Sequence, residues 1–63
     1  MQRYLAQFER VKIGALFSQD GNCYRKRSRR TADLTSPERY AGRWFYFSQR
    51  ETVEITTLEV LED

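Results

Sequence analysis

The residues best suited to chemistry are gathered in Tyr24-Arg25-Lys26-Arg27-Ser28-Arg29-Arg30, five cations in seven residues. Read as a strand, this run alternates, setting Arg25, Arg27 and Arg29 on one face and Tyr24, Lys26 and Arg30 on the other. Like charges at alternate positions of one strand repel, so an anionic partner or acids on a neighbouring strand must make the arrangement tolerable. At ~3.3 Å of rise per residue, alternate arginines would lie ~6.5 to 7 Å apart, close to the spacing of phosphates along an extended single strand. Aromatic residues near such a stripe can stack on bases, and Tyr24, Tyr40, Trp44 and Tyr46 are the candidates. The pattern assigns a binding surface to Tyr24, Arg25, Arg27, Arg29, Arg30, Arg39, Arg43 and Tyr46. The arginines supply charge, the tyrosines supply flat contacts, and Arg39 and Arg43 extend the patch from a facing loop. The competing structural reading has Trp44 or its neighbours filling the core, and Glu51, Glu54 and Glu59 pairing with the arginines across strands.

Catalytic chemistry has little to work with. There is no histidine for proton transfer near neutral pH, and the single cysteine, Cys23, has no imidazole to activate it. One cysteine without histidine cannot build a structural zinc site or an internal disulfide. Asp20 and Asp33 sit in turn-like contexts, where aspartate is favoured for its backbone hydrogen bonds. Gly14, Gly21 and Gly42 are too scattered for a phosphate loop. The expectation is a binding module that is not an enzyme, with neither metal nor cofactor.

The bulk properties narrow the setting. At 63 residues the chain makes one small domain, of a size that buries only ~60% of its unfolded surface, leaving one thin core and no deep cleft. Its 40% hydrophobic and 14% aromatic content is that of a folded protein. No apolar run approaches the ~20 residues needed to span a bilayer, and residues 1–10 lack the apolar centre of a signal peptide, so a cytoplasmic setting without a membrane is expected. The net charge of +2 hides an asymmetry. Residues 1–50 hold all eleven cations against four acids, a net of +7, and residues 51–63 hold five acids and no cation, a net of −5. Such a division suits a basic binding face with an acidic tail, or one strand neutralised by another.

These residues need elements to hold them. Tyr4, Leu5, Phe8 and Val11 form one stripe of a short helix over residues 1–11. Lys12-Ile13-Gly14 reads as a connector. Residues 15–18 and 23–30, joined by Gln19-Asp20-Gly21-Asn22, read as a β-hairpin on an Asp-Gly turn. Residues 31–42 carry the marks of a loop, with Ser36 and Pro37 opening one helical turn. Residues 43–49 and 52–57 are the two main core strands, and residues 58–63 are an edge strand or a frayed acidic tail. Leu16, Phe17, Phe45, Phe47, Val53 and Ile55 are assigned to the core. Since alternation separates Phe45 and Phe47 from Trp44 and Tyr46, one aromatic pair is left over for a second layer, a dimer seam or a ligand. The sum is a mainly β protein: a small, strongly bent antiparallel sheet or a partly open SH3- or OB-like barrel of four to five strands.

The segment Val11 to Leu34 carries a resemblance. Val11-Lys12-Ile13-Gly14, then Leu16-Phe17, the Asp20-Gly21 turn, Tyr24-Arg25-Lys26 and Arg30-Thr31-Ala32 look like the pattern of small phage and prophage proteins with an SH3-like β-barrel; Ala15 stands where an acidic or polar residue usually follows the glycine. The resemblance covers about a third of the chain and implies a phage accessory protein acting in the host cytoplasm. Two partners are then open. One is nucleic acid, with a single strand favoured. The other is a host protein, such as a nuclease or CRISPR effector, that the chain would inhibit or adapt through its Arg- and Tyr-rich surface or its acidic end.

Overall fold

The computed structural model describes residues 2–62. Six strands form one antiparallel sheet: β1 (Tyr4–Gln7), β2 (Leu16–Gln19), β3 (Asn22–Lys26), β4 (Thr31–Ser36), β5 (Trp44–Tyr46) and β6 (Thr52–Ile55). Their spatial order is β1-β6-β2-β3-β4-β5, and the sheet stays open, with β1 and β5 as its edges. Three single 3₁₀ turns, Phe8–Arg10, Glu38–Tyr40 and Leu58–Val60, are the only helical segments among the described residues. The protein is mainly β, as its pattern predicts.

The β2–β3 hairpin forms where Asp-Gly chemistry places it. Asp20 and Gly21 take φ of 52° and 82°, the paired left-handed geometry of a two-residue turn whose twist matches its strands. Strand β6 also follows its alternation, with Val53 and Ile55 buried and Thr52 exposed.

Three expectations are corrected. The helix expected over residues 1–11 is absent from the described part of that segment, residues 2–11. Tyr4 to Gln7 pairs with Ile55 to Thr52 as β1, so Leu5 points outward, 73% exposed, and the 3₁₀ turn then swings Phe8 and Val11 fully into the core. A helical stripe and this strand-plus-turn share Phe8 and Val11, so the sequence alone does not separate them; the long-range pairing with β6 does. The loop expected over residues 31–42 is a strand up to Ser36, because Ala32 and Leu34 alternate inward against Tyr24 and Lys26 of β3. The basic strand expected over residues 23–30 ends at Lys26, and Arg27 to Arg30 turn the chain into β4.

The core is Phe8, Val11, Phe17, Tyr24, Ala32, Leu34, Phe47, Val53 and Ile55. Four of its members form an aromatic cluster, with Phe8 stacked on Phe47 at 4.8 Å, Phe17 stacked on Tyr24 at 5.4 Å, and edge contacts between the pairs. Edge-to-face and offset rings add to the area they bury. Leu16 and Phe45, assigned to the core from sequence, stay 53% and 42% exposed. For Leu16 the reason is alternation, since Phe17 takes the inward position of β2. Phe45 lies on the inner side and touches Tyr24 edge-on at 6.1 Å, but at the rim of an open sheet no described residue covers its other face. At the chain's end, Leu61 bridges to Val11 and the Glu62 amide donates to the Arg10 carbonyl, so Val60 and Leu61 pack on the core.

Candidate nucleic-acid interface

The site is built on β3, β4 and β5, and alternation decides which side chains reach it. Tyr24 and Lys26 face inward, so Tyr24 is a core residue at 8% exposure and not the flat contact expected of it. Arg25 faces outward. The register aligns Leu16, Arg25, Asp33 and Trp44 in one row across β2, β3, β4 and β5, and sets Thr31 beside Tyr46 in the next. These side chains share the outer face.

Trp44 and Tyr46 are the surplus aromatic pair. They lie two residues apart on β5, meet edge-on at 5.1 Å, and remain 48% and 75% exposed. The Arg27 guanidinium lies 5.6 Å from the Trp44 ring centre and 3.5 Å from Asp33. Arg27, Ser28, Thr31, Trp44 and Tyr46 together line a shallow open depression. Trp44, left out of the binding surface expected from sequence, stands exposed beside Tyr46 on this face. The signal was present: once Phe47 is inward, a period of two puts Phe45 inward and Trp44 and Tyr46 outward.

Ser28 fixes the basic turn beside this face. Its hydroxyl bonds with the Thr31 hydroxyl and accepts from the Thr31 amide at 3.1 Å and the Arg30 amide at 3.4 Å, while the Arg27 amide donates to the Thr31 carbonyl at 3.0 Å. Arg29 and Arg30 are held at the tip, exposed. The Arg25, Arg27, Arg29 stripe is therefore replaced by a corner: Arg25 on the sheet, Arg27 at its end, and Arg29 and Arg30 on the turn. At the other end of β5, Arg39 and Arg43 gather on Tyr40, with guanidinium carbons 5.7 and 5.3 Å from its ring centre. Arginines thus stand at both ends of the Trp44–Tyr46 pair. Arg39 and Arg43 join through Tyr40, apart from the Arg27 corner.

The acids of residues 51–62 do not neutralise this face. Among the described residues the ion pairs are Arg3 with Glu54 at 3.0 Å and Arg27 with Asp33. Glu51 instead accepts from the Gln19 side chain and the Ser48 amide.

Lys26, the one cation of the basic run left out of the expected binding surface, has a separate place in the fold. It is 4% exposed, and its ammonium donates to the Phe8 carbonyl at 2.9 Å and the Val11 carbonyl at 2.7 Å, 4.4 Å from the centre of the Phe8 ring. Burial holds its pKa below the usual lysine value. It ties the first 3₁₀ turn to the sheet.

Cys23 is exposed and free, and among the described residues no three His, Cys, Asp or Glu side chains cluster as a metal site would require. No helix among them is long and apolar enough to cross a membrane. The chain matches no protein-family model, no curated protein and no solved structure. The functional reading therefore rests on the geometry of this face.

Proposed function

We propose that the chain is a non-enzymatic module that binds single-stranded nucleic acid across β3, β4 and β5. One observation carries the reading: Trp44 and Tyr46 stand exposed on an outer sheet face beside Arg25 and Arg27, with Arg29 and Arg30 on the adjoining turn. Bases stack on the two rings, and the arginines receive the phosphates. A duplex hides the faces of its bases, which is why these rings favour a single strand. Asp33, within reach of Arg27, lowers the local charge only in part.

Trp44 is the sole tryptophan, so its fluorescence reports directly on the site. Titration with a single-stranded oligonucleotide should quench it saturably, and affinity should fall steeply with salt, as log K changes by ~0.7 per phosphate contact for each tenfold step in salt. Replacing Arg25 and Arg27 with Ala should weaken binding and flatten that slope. Absence of quenching at low salt would overturn the reading and direct attention to a protein partner for the same face.

A further inference from the structure

We propose that β5 is also a self-association edge, pairing antiparallel with β5 of a second copy about a two-fold axis at Phe45. The backbone carries the argument. The Leu34 amide donates to the Arg43 carbonyl and the Phe47 amide to the Arg30 carbonyl, both at 2.7 Å, and Ala32 pairs with Phe45 between them. The Arg43 carbonyl, Phe45 and the Phe47 amide therefore face β4, while the Arg43 amide donates to the Tyr40 carbonyl. By the same alternation, Trp44 and Tyr46 turn theirs away from the sheet, where no further strand follows. An exposed row of main-chain donors and acceptors is a template for another strand, usually blunted by lysine, proline or a bulge. Trp44-Phe45-Tyr46 has none of these, and all three residues are exposed.

The edge is complementary to itself. A two-fold axis at Phe45 sets Trp44 opposite the partner copy's residue 46, and Tyr46 opposite its residue 44. Each is a pair that exchanges both main-chain hydrogen bonds, giving four in all. Among registers that oppose outward-facing groups, this one alone pairs every β5 residue with a β5 residue. It sets indole beside phenol twice on the outer face, a favourable cross-strand combination, and places Arg43 opposite a phenylalanine and not another cation. A closed two-fold contact of this kind uses each edge once, so it ends at a dimer. The seam is short. From their exposed fractions the three aromatics offer roughly 300 Å² per copy on the area scale of aromatic side chains, less than the ~800 Å² per partner of a standard interface. The dimer is accordingly reversible and concentration-dependent. It rests on the edge geometry and holds whether or not nucleic acid is the ligand.

The test is made without nucleic acid. Sedimentation of the full chain from low micromolar to near-millimolar concentration should show the mass rising from 7.6 kDa toward twice that value. Tyr46→Pro removes an outward N–H that β4 does not use, so it should keep the fold by circular dichroism and remain monomeric throughout. In a Cys23→Ser background, Phe45→Cys should form a disulfide-linked dimer on oxidation. Arg43→Cys should not, because the two copies of that position would lie ~13 Å apart along the seam, beyond disulfide reach. A monomer at every concentration, a folded Tyr46→Pro that still dimerises, or equal cross-linking at positions 43 and 45 would each overturn the proposal.

Discussion

Replacing Lys26 with Met tests whether a buried ammonium without a carboxylate partner holds the fold together. The thioether matches the stem of lysine in length but donates nothing. In the native fold the Phe8 carbonyl also accepts from the Val11 amide at 3.1 Å, so it keeps a partner in the variant. Among the described residues the Val11 carbonyl accepts from Lys26 Nζ alone, since the bridge to Leu61 is bonded through Lys12 to Val60 and Glu62 to Arg10. Lys26→Met thus strands one buried acceptor, at ~1 to 3 kcal/mol, and loses the contact with the Phe8 ring, worth up to ~2 kcal/mol when desolvated. Against this, the cost of burying the charge disappears. A net loss of ~1 to 3 kcal/mol is expected, which for a domain this small lowers Tm by roughly 5 to 20 °C. Alkaline pH supplies a second signature. Burial lowers the folded pKa of Lys26 below 10.5, so between the folded value and 10.5 the unfolded chain binds more protons, and the contribution of Lys26 to stability rises with pH across that window. Below the folded pKa the contribution is constant. Thermal melts followed by circular dichroism, at neutral and alkaline pH, should show the wild type gaining on Lys26→Met as pH rises. A variant as stable as the wild type at neutral pH, with parallel pH profiles, would refute the view that these two bonds outweigh the burial of the charge.

Trp44→Ala should leave Tm within a few degrees, because the ring is half exposed, yet weaken oligonucleotide binding roughly 5- to 150-fold, as loss of one stacked base predicts; anisotropy of a labelled strand is the measurement. Phe8→Ala, at the centre of the aromatic cluster, should cost ~3 to 5 kcal/mol, a large part of a small domain's stability, and denaturant unfolding will read it. Gly21→Ala forces a β-carbon into the left-handed region at φ 82° and should cost ~1 to 2 kcal/mol by the same assay. Moderate salt should raise Tm while it weakens oligonucleotide binding, because it screens repulsion among the cations of residues 25–30; a Tm that falls with salt would show those charges to be neutralised within the fold.

Legibility of the fold followed the range of the interactions. The β2–β3 hairpin was readable because its signal is local: Asp20 and Gly21 determine the turn, and the turn determines the register. Strand β6 and the inward places of Phe17, Phe47, Val53 and Ile55 were readable because alternation is strict there. What stayed hidden depends on distant partners. Residues 4–7 become a strand by lying against β6, some fifty positions away, and Ala32 and Leu34 become core only because β3 and β5 flank them. For the site, Arg25, Arg27 and Tyr46 do share a face, but Tyr24, correctly set on the opposite side of β3, was read as a contact and not as core. Lys26 caused that error. A cation at an inward position hides the period of two that would have marked Tyr24 as core, and only the fold reveals the two carbonyls that make its burial tolerable.

Lys26 also explains how the basic run divides its labour. Of the five cations in residues 25–30, the one facing inward has its charge absorbed by main-chain acceptors, which are fixed and cannot be exchanged for a ligand. Among the four facing outward, the described residues provide a single carboxylate, Asp33. A domain with one thin core gains nothing from repulsion concentrated on one corner, and stability alone would favour acids on β4 and β5 opposite Arg25 and Arg27. Those strands provide one, Asp33 beside Arg25, and otherwise offer Thr31, Trp44 and Tyr46 on that face, while the glutamates of β6 and the adjoining chain are engaged with Arg3, Gln19 and the Ser48 amide. The outer face thus pairs excess positive charge with uncovered aromatic surface, two features that each weigh against an isolated fold. A flexible polyanion carrying flat bases relieves both at once, since its phosphates offset the charge and its bases cover the rings.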